Sequence, residues 1–256
     1  MENKLKLFHR EDFQVRAYEV NQQGRVTMLS LFNYMQEAAG NHAAKLGVSV
    51  QDLFKKNMTW VLSRVHIQIH DFPFWKQKVV IETWPAEKDA YYAIRDFRIR
   101  NGKDELIGIA TSSWMMIDLK ERKPVMIPEF IDKLKNTEEG RALQDSFGKL
   151  PKLENVDSEK VFNVRLSDLD INRHVNSVNF IEWALESVPL DITKTAVLSE
   201  IEVTYRAEAH YGDRVISQCQ TKLSDDGYRV IHRLLKEGSE KELTRIVTAW
   251  SKRKDR

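Results

Sequence analysis

The chain carries an altered copy of itself, and that repeat limits the folds open to its 256 residues. Laying Phe162 on Phe13 pairs Val164 with Val15, Arg165 with Arg16, Asp168 with Glu19, Val175 with Val26, Trp183 with Tyr34 and Glu186 with Glu37, without a gap. A second gapless register sets Val197-Leu198-Ser199 on Val61-Leu62-Ser63, Val215 on Val79, Tyr228 on Tyr92, Gly238 on Gly102 and Trp250 on Trp114. Each half is predicted to open with a short strand, over residues 13–17 or 161–166. Apolar residues at helical spacing follow: Met28, Leu31, Phe32, Met35 and Ala38 in one half, and Val175, Val178, Ile181 and Leu185 in the other. The period then changes to two. Val61, Ser63, Val65, Ile67 and Ile69 alternate with Arg64, His66, Gln68 and His70, while Val197, Ser199, Ile201, Val203 and Tyr205 alternate with Glu200, Glu202, Thr204 and Arg206.

Further strands are predicted at residues 78–83, 91–100 and 106–117, the last two joined as a hairpin at Asn101-Gly102. A helix followed by an antiparallel meander is an α+β unit. A curved sheet around one helix, present twice, matches a tandem hotdog fold. The stretch 120–158 is charged, holds Pro124, Pro128 and Pro151, and is predicted to include a helix near residues 128–143. The expected organisation is an N-terminal unit at 1–128, a charged linker at 129–158 and a C-terminal unit at 159–256.

Composition narrows the function classes. With 42% hydrophobic and 30% charged residues the chain is globular, and a net charge of +2 gives no electrostatic ground for nucleic acid. The single cysteine, Cys219, excludes an internal disulfide framework or a thiolate-built zinc cluster, and the other histidines, His210 among them, show no metal-ligand spacing. No metal or cofactor is expected. No apolar run approaches membrane-spanning length, and a cytoplasmic protein is the expectation, with homodimerisation left open.

The two halves differ where polar groups gather. Ser167-Asp168-Leu169-Asp170-Ile171-Asn172-Arg173-His174-Val175-Asn176 crowds carboxylates, amides and an imidazole at the entrance to the second predicted helix. Its counterparts differ in kind: Asp170 falls on Asn21, Asn172 on Gln23, His174 on Arg25 and, in the second register, Glu208 on Phe72. Helix capping by itself accounts for an Asp or Asn at such an entrance, and a lone histidine is commonly structural. The joint change of four positions favours chemistry confined to the second half.

Asp168-Leu169-Asp170-x-Asn172-x-His174-Val175-Asn176, followed by Phe180-Ile181-x-Trp183 and Glu186, resembles the signature of the acyl-acyl carrier protein (acyl-ACP) thioesterases, the plant plastid enzymes and their bacterial relatives. Tyr205-Arg206-x-Glu208 is similar to that family's later motif. Gln36-Glu37-Ala38-Ala39-x-x-His42, Thr83-Trp84, Arg95-Asp96-Phe97 and Ser113-Trp114 extend the likeness through the first half. The resemblance implies a tandem hotdog fold, hydrolysis of fatty acyl-ACP to free fatty acid, acyl carrier protein as partner, and a site of Asp170, Asn172, His174 and Glu208. An imidazole titrates near neutrality and suits a general base for water; Glu208 would orient it or be the base itself. The Asn172 amide would donate to an oxyanion or position water, Asp170 would fix its neighbours, and Asn176 reads as a turn or helix cap. In the plant enzymes a cysteine directly follows the glutamate, but here that residue is Ala209, so water should be the nucleophile. Met28, Leu29 and Phe32 are candidates for lining the acyl tunnel. The rival readings are an acyl-CoA thioesterase, a hydratase or dehydratase of the same fold, and a non-catalytic acyl-binding module.

Overall fold

The computed structural model describes residues 7–134 and 138–252, and the chain divides into two compact units, Met1–Ser146 and Phe147–Arg256. In the first, β1 (His9–Gln14), β2 (Met58–Ile69), β3 (Lys78–Lys88), β4 (Tyr92–Asn101) and β5 (Leu106–Asp118) form an antiparallel sheet in the order β1-β3-β4-β5-β2. The short β6 (Lys123–Val125) pairs with β5. Helix α1 (Met28–Lys45) packs on this sheet through Met28, Leu31, Phe32, Met35, Ala38, Ala39 and His42, which recur every three to four residues along one face. Burying a side chain such as Leu31 or Phe32 contributes about 1.5–3 kcal/mol, which outweighs the weak propensity of a helix containing Gly40. The hydroxyl of Thr27 accepts from the Ser30 N–H to cap its start, and Gly47, at φ +69°, turns the chain away after its end. The shorter α2 (Val50–Phe54) is opened by Ser49, which exchanges hydrogen bonds with Asp52.

The second unit repeats this topology. Strands β7 (Ser158–Asn163), β8 (Ala196–Tyr205), β9 (Arg214–Ser224), β10 (Gly227–Lys236) and β11 (Glu242–Lys252) are ordered β7-β9-β10-β11-β8. Helix α3 (Ser177–Glu186) packs against them, and α4 (Leu190–Thr195) precedes β8. The pairing matches residue by residue: Phe13 lies opposite Val79 and Phe162 opposite Val215. Phe13 stacks on Tyr34 at 4.5 Å and Phe162 on Trp183 at 5.8 Å. The architecture is α+β, two hotdog units in one chain, as expected.

Several local expectations are corrected. The opening strands stop at Gln14 and Asn163, before the predicted ends, because the Glu19 and Asp168 carboxylates accept from the Arg16 and Arg165 N–H groups and bend the chain into 3-10 turns at Ala17–Glu19 and Leu166–Asp168. The simple alternation in β2 and β8 is broken by a β-bulge at Ser63 and at Ser199, where one extra residue flips the facing of everything beyond it. Leu62 and Val65, not Val61 and Ser63, therefore lie on the α1 side. The buried stripe of α3 is Phe180, Ile181, Trp183 and Ala184, while Val175 lies before the helix in a bridge to Leu169. The β4–β5 hairpin is built on Asn101, whose side-chain oxygen accepts from the Lys103 and Glu105 N–H groups, and the left-handed residue is Asp104 at φ +67°, not Gly102.

Between the units the predicted helix is a 3-10 turn over Glu129–Leu134; residues 135–137 lie outside the described residues, and 138–157 carry no helix. Charged side chains tie this stretch down instead. Arg141 donates to the buried Asp96 at 3.0 Å and Trp84 to the Gly140 carbonyl at 2.9 Å, whereas the Leu150 carbonyl accepts from Arg245 at 3.0 Å.

The core of the second unit holds a buried imidazole that contributes to its acid sensitivity. His232 is buried on β10 with Nε2 3.0 Å from the Thr248 hydroxyl, and burial pushes its pKa down to about 3. Between that value and the ordinary imidazole range the unfolded chain binds a proton that the folded chain refuses, so the stability present above about pH 6.5 is lost as the pH falls, by at most about 1.4 kcal/mol per pH unit. Denaturant midpoints measured from pH 7.5 to 5 should fall less steeply for His232→Gln than for the wild-type chain. Parallel slopes would assign the acid sensitivity to other groups.

Candidate active site

Two chain segments of the second unit meet at the residues singled out by the broken repeat. The first, between the 3-10 turn and α3, is a tight loop organised by Asp170. Its Oδ1 accepts from the backbone N–H of Asn172 at 2.8 Å and of His174 at 3.1 Å, and its own N–H donates to the His174 carbonyl at 2.8 Å. Arg173 takes a left-handed φ of +63° to close the turn. Asn21 does the same in the first unit, accepting from Gln23 and Arg25. Asp170 therefore shapes the loop through backbone contacts, and among the described residues it makes no ion pair with the His174 ring.

The second segment leaves β8 after Tyr205. Burial raises the Tyr205 phenol above its ordinary range, so it stays a neutral donor to the Ser177 carbonyl at 3.1 Å, tethering the strand end to the start of α3. The Val175 N–H then donates to the Ala209 carbonyl at 2.9 Å, joining the two segments. Flanking that bond, His174 Nδ1 lies 3.5 Å from Glu208 Oε1. The pair is accessible, with side-chain exposures of 35% for His174 and 57% for Glu208, so water reaches both. The spacing is at the long end for a hydrogen bond, as is common for site groups without substrate. Asn172 lies on the same loop, and its carboxamide has no partner among the described residues, leaving its donors free for a ligand. Asn176 caps α3, accepting from the Val178 N–H at 3.3 Å.

His210 was not among the expected site residues. It folds beside His174, ring centroids 5.0 Å apart in an edge-to-face arrangement, and the donor atoms of His174, Glu208 and His210 all lie within 4.8 Å of one another. The signal for it was present in the second register, which sets His210 on Phe74. The first unit keeps the clamp but not the chemistry. Val26 donates to the Pro73 carbonyl at 2.8 Å, while Arg25 covers the Phe74 ring at 4.1 Å and donates to the Phe72 carbonyl.

Ala209 is completely buried and carries no nucleophile. The thiol of Cys219 is buried in the second unit, donates to the Ser187 carbonyl at 3.1 Å and is pushed up to about 11 by burial, so it is a packed, protonated group. The first unit contains a pocket under α1 lined by Phe32, Met35, Gln36, Ala39, Leu62, Val65, Phe97, Ser112 and Trp114. Of the three residues expected to line an acyl tunnel, Phe32 is there, and Met28 and Leu29 are not.

The loop geometry makes a direct prediction. Asp170→Ala leaves two backbone N–H groups without their acceptor and should cost about 1–2 kcal/mol, whereas Asp170→Asn retains the accepting oxygen, as Asn21 does, and should cost a small fraction of that. Equal losses for both variants in chemical denaturation would refute this role.

Comparison with known proteins agrees over nearly the whole chain. Residues 6–134 match the acyl-ACP thioesterase N-terminal domain and residues 152–252 the C-terminal domain. The chloroplastic oleoyl-acyl carrier protein thioesterase of Coriandrum sativum is 30% identical over 98% of this chain and 78% of its own length. Among solved structures, an acyl-ACP thioesterase from Bacteroides thetaiotaomicron superposes with a TM-score of 0.86 at 28% identity, covering 98% of this chain and 100% of the other. The 12:0-ACP thioesterase of Umbellularia californica superposes with a TM-score of 0.87 at 28% identity, covering 96% and 95%. The chain belongs to the acyl-ACP thioesterase family.

Proposed function

We propose that this protein hydrolyses the thioester of fatty acyl-acyl carrier protein to free fatty acid and carrier protein, using water activated at the His174–Glu208 pair. The observation that carries this reading is the 3.5 Å approach of the His174 imidazole to the Glu208 carboxylate beside Ala209, a position with no nucleophile of its own. His174 accepts a proton from water as the oxygen attacks the carbonyl carbon, and Glu208 steadies the imidazolium that results. The Asn172 carboxamide donates to the oxyanion. Collapse of the tetrahedral intermediate expels the carrier-protein thiolate, which takes the proton back from His174. Asp170 contributes by holding the loop that sets Asn172 and His174.

No helix of the described residues is long and apolar enough to cross a membrane, and a cytoplasmic setting belongs to this proposal.

Hydrolysis of a fatty acyl-ACP by the purified chain tests the assignment. His174→Ala should lower the rate by roughly 10²–10⁴-fold and Asn172→Ala by roughly 10²–10³-fold, with the thermal transition of each retained. Wild-type rates in both folded variants would remove these residues from the mechanism. Cys219→Ser should keep its activity, and an inactive but folded variant would overturn water activation. Parallel rates on the same acyl group carried by coenzyme A distinguish an acyl-CoA thioesterase, and a chain-length panel measures which acyl groups are hydrolysed.

A further inference from the structure

The histidine that the motif did not contain gives the site a second chemistry. We propose that His174, Glu208 and His210 bind a divalent transition-metal ion of the zinc class, and that an ion held there blocks hydrolysis. The blocking effect rests on the function proposed above; the binding does not.

Two imidazoles and one carboxylate are ordinary zinc ligands, and three protein ligands leave a fourth position for water. The three donor atoms lie within 4.8 Å of one another, with His174 Nδ1 and Glu208 Oε1 at 3.5 Å. In a tetrahedral site with bonds of about 2.0–2.1 Å, neighbouring donors stand about 3.3 Å apart. One pair is thus close to its final spacing, and the others close by rotation of side chains that face solvent. The backbone beneath them is already fixed. Asp170 holds the His174 N–H, the Val175–Ala209 bond joins the two segments, and the His210 N–H donates to Asp213 at 3.0 Å. Oxygen-seeking magnesium, which keeps most of its waters, finds a poor site here. The spacing of histidines along the chain hides this arrangement, because the ligands come from two distant segments. Arg25, Phe72 and Phe74, at the matching places of the first unit, offer no ligand and act as an internal negative control. A bound ion takes the imidazole lone pair that would accept the proton of water, and occupies Glu208 as well.

Calorimetric titration of the metal-stripped chain with zinc chloride should show one ion bound per chain, and magnesium chloride should give no binding. His210→Gln and Glu208→Gln should each weaken zinc binding at least about tenfold, while Arg25→Lys leaves it unchanged. Cobalt chloride should give the visible bands of a tetrahedral nitrogen–oxygen site in the wild type and lose them in His210→Gln. Absence of zinc binding, or undiminished binding in both variants, would overturn the site. With binding established, zinc should lower the hydrolysis rate and a chelator should restore it, each variant compared with its own metal-free rate; a rate unchanged or raised by bound zinc would overturn the block. A chain that binds zinc but hydrolyses nothing when metal-free would keep the site and reject the functional proposal instead.

Discussion

The backbone hydrogen bond from the Val175 N–H to the Ala209 carbonyl, at 2.9 Å, joins the two segments on which the candidate site depends at the point where the site residues meet. His174 precedes the donor residue, and Glu208 and His210 flank the acceptor residue. The bond is worth only about 1 kcal/mol net, as backbone hydrogen bonds generally are. Its weight is geometric, because it sets the residue next to His174 against the residue between Glu208 and His210. Neighbouring contacts reinforce it: Tyr205 reaches the Ser177 carbonyl, and the Asn176 N–H donates to the Asp168 carbonyl at 2.8 Å. The first unit makes the same clamp between Val26 and Pro73.

That pairing separates scaffold from chemistry. Positions that shape the backbone keep their role in both units: a carboxylate at Glu19 or Asp168 bends the chain, an oxygen at Asn21 or Asp170 holds the loop, and a serine marks the bulge in β2 or β8. Positions whose side chains leave the backbone do not. Arg25 covers the Phe74 ring and donates to the Phe72 carbonyl, whereas His174, Glu208 and His210 make an accessible cluster of donors and acceptors. With Ala209 buried between the last two, the fold offers the site a base and solvent access without a nucleophilic side chain. That arrangement fits the proposed activation of water, and the same lone pairs fit the proposed metal ion.

The repeat, the helices and the antiparallel meander were legible because apolar periodicity is local, as in Leu31, Phe32, Met35 and Ala38 of α1. Legibility failed where one residue changed the count. The extra residue at Ser63 or Ser199 is invisible to an alternation argument, since nothing in its chemistry announces a bulge that depends on the partner strand. The predicted helix between the units failed for a related reason: the Gly140 carbonyl and the Arg141 side chain find their partners, Trp84 and Asp96, on the first sheet, and those contacts favour an irregular path over a helix.

By itself, the sequence determined the α+β duplication, the family to which the chain belongs and the asymmetry between its halves, because each rests on residue type and spacing. It also named Asp170, Asn172, His174 and Glu208 as candidates. Only the tertiary structure decided how these divide. It turned Asp170 toward the backbone, set Glu208 beside His174, buried Ala209 and Cys219, and brought in His210. The physical reason is that the loop before α3 and the segment after β8 are distant along the chain, and sheet pairing together with the Val175–Ala209 and Tyr205–Ser177 bonds makes them neighbours.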